Sequence, residues 1–262
     1  MVRMWIAAAA AALLLAPGAA RAQAEQQALV DRATLAAQEM LNDTTGKDAQ
    51  AVLRQARAVM ICPQVLRAGF LLGGQGGSCV LVARDGAGSW SAPAFYGLGG
   101  GSIGFQAGIQ DAEVMLLIMS DRGLRAVMDS QFKLGADAAA TFVDLGGGVE
   151  GSTTAALRAD IVGFSKARGL YAGISLGGSL MSTKSDWNQA YYGRPLASQQ
   201  IVLSMEGTNP AADPLRQVLT RYGTQDRPAA PALPEPVPLG PGPQRPAPIQ
   251  QQPLQPLPPR RY

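Results

Sequence analysis

Gly69-Phe70-Leu71-Leu72-Gly73-Gly74-Gln75-Gly76-Gly77 begins a forty-residue stretch that closes at Gly108 and holds thirteen glycines. Between the glycines lie strand-like apolar pieces: Val80-Leu81-Val82, Trp90, Phe95-Tyr96 and Ile103-Gly104-Phe105. A flexible linker would carry Ser and other polar residues in their place. Glycine within a strand pattern marks bulges, bends and close backbone approach. The stretch therefore predicts a strongly bent, glycine-rich antiparallel sheet, open or closing towards a barrel.

Helices are expected on both sides of it. Leu29, Ala33, Ala36 and Met40 follow helical spacing over residues 25–43, with Val30, Ala37 and Leu41 alongside. A second helix over 47–57 turns Val52 and Leu53 inward and places Arg54 and Arg57 near its end, where cations suit the dipole. Val114 to Met119 is apolar on both faces and reads as a buried central strand. Asp121 is placed as the cap of a short helix. Strands follow near 136–144, 154–165 and 169–181. Helices are expected over 186–192, with Gly193 as the C-terminal glycine, and over 196–204. Asp213 as N-cap, Pro214 at the first position and Gly223 as the stop define a last helix. The fold class is α+β, with helices at both ends of the domain.

Residues 1–22 read as a secretory signal: Arg3 in the n-region, a short apolar run from Trp5 to Ala16, and Ala20-Arg21-Ala22 as the cleavage site. The expected compartment is the periplasm or beyond it, since Arg outnumbers Lys by 18 to 4 and the composition suggests a GC-rich bacterial genome. Residues 23–225 form the domain, enough for one large core. They carry 16 basic and 17 acidic groups, so the basic pI belongs to the flanks. Near-neutrality argues against nucleic acid as a partner. Residues 226–262 form the tail; 13 of the 19 prolines fall within 227–262, a composition that predicts a disordered, PPII-leaning extension.

Several strings match catalytic or cofactor patterns and lack what the chemistry needs. Ser102 and Ser175 each sit in G-x-S-x-G, but the chain contains no histidine to serve as base. Gly99 to Gly104 fits G-x-G-x-x-G, where dinucleotide binding requires a following helix; a strand is expected instead. Ser130 and Lys133 fit S-x-x-K without the S-D-N and K-T-G elements. Cys62 and Cys79 have no histidine partner for zinc, and Asp137, Asp144 and Glu150 are too spread for an EF-hand. No metal or other cofactor and no enzymatic activity is expected. In an oxidising compartment the two cysteines are expected to form a disulfide, with two buried thiols as the alternative.

The ordered motifs Ile61-Cys62-Pro63, Gly73-Gly74-Gln75-Gly76-Gly77, Trp90-Ser91-Ala92-Pro93-Ala94-Phe95 and Gly100 to Gly108 resemble the SYLF domain, also called the Ysc84 or DUF500 family. The resemblance continues through Lys133 to Ala138, Ser165 to Gly173, Asn188 and Tyr191-Tyr192-Gly193, covering roughly residues 25 to 205. It implies lipid binding without catalysis; eukaryotic members bind phosphoinositide membranes and some bind actin. For a bacterial secreted member the expected partner is a phospholipid membrane surface or a lipid ligand, with anionic phospholipid or a phosphoinositide-like headgroup as the target. The alternative is a structural or interaction protein of the periplasm that uses the proline-rich tail as spacer or docking segment.

Candidate headgroup ligands are Lys47, Arg54 and Arg57, with Lys166 and Arg168 in an expected turn between strands; each reads equally as a solvated charge. The first helix has two readings, as a membrane-contacting segment and as a helix packed on the sheet. Its only cation is Arg32, against Glu25, Asp31, Glu39 and Asp43, whereas surface-seeking helices carry several Lys or Arg. Trp90 and Trp187 are candidates for interfacial anchors, with core packing the alternative.

The tail lacks an apolar stripe, so its removal costs little buried area. Chains with and without residues 226–262 should melt within a few degrees of each other, the span of a ~1 kcal/mol change. A large drop on truncation would show that the tail packs on the domain.

Overall fold

The computed structural model describes residues 16–42, 46–144, 159–168, 176 and 178–224. Residues 1–15, which hold most of the expected signal, and the proline-rich tail from residue 225 lie outside the described residues, as does Ser175.

Two very long strands dominate, β1 (Ala58–Ala83) and β2 (Ala94–Ile118), paired antiparallel from Ala58↔Ile118 to Leu81↔Ala94. A straight ribbon of 26-residue strands would be about 85 Å long at the usual strand rise. A domain of this size has a radius of gyration of about 16 Å. The ribbon must therefore double back, and three contacts between the arms of β1 and the residues that flank it show how. The Arg84 N–H donates to the Arg57 carbonyl at 2.7 Å. The Cα atoms of Cys62 and Cys79 are 4.1 Å apart. A Cβ on Gly77 would sit 2.5 Å from the Gln64 carbonyl oxygen, so only glycine fits there. The three pairs fall on one antiparallel register, and the two arms of β1 lie side by side. The separation at the cysteines is that of a close, non-hydrogen-bonded cross-strand pair.

The other strands extend this folded ribbon along the outer edge of β2. The late part of β2 pairs with β5 (Ile161–Arg168), and β5 pairs with β4 (Ala140–Asp144). The early part of β2 pairs with β6 (Leu180–Thr183), and β6 pairs with β3 (Gln131–Lys133). With the arms of the long strands counted separately, eight segments form one curled half-barrel sheet. The bent, glycine-rich α+β sheet read from the sequence is thus what the chain forms. It departs from that reading at one edge, where β4 and β5 run parallel. The two are joined by a 16-residue connection through residues 145–160, long enough for a crossover.

Both faces of the sheet are covered. Val59, Ile61, Val80, Val82, Met115 and Leu117 point to one core, shared with α1 (Ala16–Asn42), α2 (Lys47–Gln55), α4 (Ser185–Tyr192) and α6 (Asp213–Gly223). Met60, Cys62, Leu81, Tyr96, Val114 and Leu116 point to the other, shared with α3 (Asp121–Met128) and α5 (Ser198–Val202). The central strand is buried on both faces, as its unbroken apolar run requires. The apolar stripe of α1, from Leu29 to Leu41, is at most 3 % exposed, so this face of the helix packs on the sheet.

Helix ends refine the sequence reading. Ser120, not Asp121, caps α3: its hydroxyl accepts from the Gly123 N–H at 3.0 Å and donates to the Asp160 carboxylate. That hydrogen bond and the one from the Ala139 N–H hold the Asp160 carboxyl below the usual carboxylate range. Asp213 lies inside α6, and Asn209 caps the 3-10 turn Pro210–Ala212 that leads into it. Gly193 ends α4 at φ 69°, the left-handed conformation expected of it.

The disulfide joins Cys62 to Cys79 across the two arms of β1, and both residues are fully buried. Closing a loop of this length contributes about 3 kcal/mol in the chain-entropy account. Denaturant titration with and without reductant should show a loss of that size, reproduced by the double change Cys62→Ala, Cys79→Ala. Two titratable thiols on protein unfolded without reductant would show that the bond does not form.

Candidate functional site

The structure sorts the sequence-predicted residues into two groups. Arg32 and Lys166 lie at the corner where α1 crosses β2 and β5, and Arg168 ends β5 two residues beyond Lys166. Lys166 Nζ bonds Glu39 Oε1 at 2.9 Å and ties β5 to α1. Lys166 stands opposite Glu113 in the strand register, and Arg168 stands opposite Asp111. Arg32 lines an adjoining cleft of about 330 Å³ with Leu35, Glu39, Gln64, Asp111 and Glu113. Glu39, Asp111 and Glu113 thus stand among Arg32 and Lys166, and this corner is not a basic patch.

Lys47, Arg54 and Arg57 gather around α2 instead. Lys47 is exposed and Arg54 is half-buried. Arg57 pairs with Asp121 at 2.7 Å, but both side chains are more than half exposed, where a pair contributes little. Among the described residues no group of three or more His, Cys, Asp or Glu is placed to hold a metal ion.

Trp90 is 2 % exposed, which corrects its reading as an interfacial anchor. It belongs to the core beneath the hairpin loop that joins β1 to β2. The Arg84 guanidinium stacks on its ring at 4.4 Å. The same guanidinium donates to the carbonyls of Leu53, Arg54 and Gly223 at 3.0–3.3 Å, so one cation closes the C-terminal ends of α2 and α6. Arg216 Nε donates to the Trp90 carbonyl at 2.8 Å. Trp187 is half-buried, edge-on to Phe95, with Lys184 Nζ 3.7 Å above its ring.

The motifs that carried the family resemblance also hold the fold together. Asn188 Oδ1 accepts the Phe95 N–H at 2.9 Å. The Tyr191 hydroxyl donates to Gln27 Oε1 and the Tyr192 hydroxyl to the Pro93 carbonyl. Burial raises both phenols well above their ordinary value. Gly99 to Gly104 runs within β2, which continues as strand to Ile118, so no helix N-terminus meets a pyrophosphate there. Ser130 follows the end of α3 and Lys133 lies in β3, a geometry that does not set the lysine one helical turn from the serine.

Sequence reasoning missed an apolar surface at the same corner. Leu35 is 64 %, Leu66 50 % and Ile109 77 % exposed. Leu66 stands opposite Asp111, and Ile109 opposite Ala68, two residues further along the same outer face. Leu35 lines the cleft with Asp111 and so adjoins them. The cause is a β-bulge between Cys62 and Val65, which inserts one extra residue. Val65 therefore points inward and Leu66 outward, although both are apolar. Gln110, next to Ile109, is 3 % exposed. Here the strand buries its glutamine and exposes its isoleucine. One signal was legible: Leu35 falls off the apolar stripe of α1.

Residues 99–222 match the family described as "Ysc84: Las17-binding protein actin regulator". The chain is 32 % identical over 171 residues to Protein YSC84 of Saccharomyces cerevisiae, covering 64 % of this chain and 36 % of the relative. It is 32 % identical over 173 residues to SH3 domain-containing YSC84-like protein 1 of Bos taurus, covering 65 % of this chain and 50 % of the relative. With LAS seventeen-binding protein 3 of Saccharomyces cerevisiae it shares 30 % over 181 residues, covering 68 % of this chain and 39 % of the relative. The matched region spans half or less of these relatives' own length. No solved structure matches the chain.

Trp90→Ala should destabilise the domain by about 3–5 kcal/mol, the cost of emptying a large aromatic core site. Urea unfolding measures it. A loss under 1 kcal/mol would return Trp90 to the surface.

Proposed function

We propose that this chain, whose residues 99–222 match the Ysc84 (SYLF) family, is a non-catalytic lipid-binding module of the bacterial envelope. The observation that carries this reading is the corner itself. Three exposed aliphatic side chains, Leu35, Leu66 and Ile109, stand near one corner of the sheet. Exposed aliphatic side chains on paired strands suit shallow burial at the boundary between acyl chains and headgroups. Among the described residues no helix is long and apolar enough to cross a membrane, so contact through this corner would be peripheral. The sequence-derived secretory signal and the Cys62–Cys79 disulfide support a location outside the cytoplasm, the periplasm or beyond. The target is phospholipid; the family's phosphoinositide preference is not carried over.

A second reading rests on the family description and the name of one relative, which state Las17 (LAS seventeen) binding, and on the proline-rich composition of residues 226–262. In that reading the chain docks a protein partner through its tail. Flotation of the purified chain with phospholipid vesicles separates the two. The chain should rise with vesicles whether or not residues 226–262 are present. Recovery of all protein in the bottom fraction, with and without anionic lipid at low salt, would discard lipid binding in favour of the tail.

A further inference from the structure

The polarity of the sheet at its bend is inverted. On the inner face Arg67 stands opposite Gln110, and both are sheltered. On the outer face Leu66, Ala68 and Ile109 are exposed to water, with the half-buried Asp111 opposite Leu66 among them. Elsewhere in β2 the residues of this outer parity, Met115 and Leu117, are buried under α1, and the chain has no reason to avoid apolar residues there. Towards the bend the same parity carries Glu113 and Asp111, and it returns to an apolar residue at Ile109, which is 77 % exposed. Apolar-out and polar-in is the pattern of strands that face lipid.

We infer that the ribbon bend at Leu66, Ala68 and Ile109, extended by Leu35, is the surface that enters the membrane, and that its insertion does not require anionic headgroups. The inference rests on the lipid-binding reading above. Two observations choose the occupant and the mode. The exposed side chains amount to a few hundred Å², well below the about 800 Å² per partner of a stable protein interface, yet enough for shallow insertion. The cations at the corner are matched by Glu39, Asp111 and Glu113, with Lys166 bonded to Glu39, so the net attraction for an anionic surface is small. The expected lead interaction is burial of aliphatic surface, which salt does not screen.

The test compares the wild type, Ile109→Asp and Leu66→Asp by sedimentation with phosphatidylcholine vesicles and with phosphatidylcholine–phosphatidylglycerol vesicles, at low and high salt. Each substituted side chain is at least half exposed, so the melting temperature should hold within a few degrees and serves as the folding control. The wild type should bind both vesicle types, with partitioning that changes less than about threefold between them and with salt. Each substitution should lower partitioning about tenfold or more on both vesicle types, the scale of one aliphatic side chain kept in water. Variants that bind as the wild type does would overturn this surface while leaving lipid binding intact. Binding confined to anionic vesicles and lost at high salt would overturn the mode. A wild type that binds neither vesicle type removes both the surface and the lipid reading. If the wild type sediments as a dimer and Ile109→Asp as a monomer, the bend is a contact between two copies, and the inference fails.

Discussion

The architecture depends on β1 lying against itself. A two-stranded ribbon of this length has no stable straight form in a domain of this size, because half of each face would stand in water. Folding the ribbon at its glycine-rich middle brings the arms of β1 edge to edge and removes an exposed strand edge in the same step. Three features enforce it at different depths. Gly77 lets the backbone approach Gln64, the Cys62–Cys79 bond fixes the arms near their middle, and the Arg84 to Arg57 hydrogen bond closes their open end. Closing that end returns the hairpin loop to the start of the sheet. Arg84 and Trp90 then sit where α2 and α6 terminate, and one guanidinium satisfies carbonyls of both helices.

From this arrangement the candidate surface follows as a geometric consequence. Once the ribbon is folded, α1 covers the outer face of the sheet only part of the way towards the bend. The single residue inserted between Cys62 and Val65 then decides which side chains face outward beyond it. A one-residue shift exchanges the two faces of a strand. Without the bulge Leu66 would point to the inner core and Val65 to water. With it, Leu66 joins Ile109 outside, on the face where Asp111 shares a cleft with Leu35.

Much of the fold was legible because its causes are local. The stripe from Leu29 to Leu41, the apolar run at Val114 to Met119, Gly193 after Tyr192, and Pro214 after Asp213 each announce an element by spacing or by backbone chemistry. The bend was legible in the density of glycines, and two cysteines left one pairing. What stayed hidden is non-local. No pattern in the sequence says that strands 58–83 and 94–118 are each continuous through the glycines, or that β4 meets β5 in parallel. Trp90 could not be assigned because its neighbours come from Leu53, Arg84 and Gly223, far apart in the chain. Arg32 was named apart from the pair Lys166 and Arg168, and only the fold brings α1 across the strand that carries that pair. The exposed aliphatic side chains were overlooked because an apolar residue in a strand is read as core unless the register is known.

The rigidity of the bend bears on how strongly it could hold a membrane. Three aliphatic side chains transferred from water contribute at most about 5–8 kcal/mol, and partial immersion gives a fraction of that. A near-neutral domain adds little long-range attraction, so the corner has to act at short range, after encounter. Under those conditions the cost of ordering the contacting surface decides whether binding is measurable. A flexible loop bearing the same residues would lose backbone entropy of about 1–2 kcal/mol per residue on insertion, enough to cancel the gain. Here Leu66 and Ile109 stand on paired strands whose arms are already joined through Cys62 and Cys79, so that entropy has been removed during folding. The staple that lets the ribbon fold is therefore also what makes a small apolar surface usable.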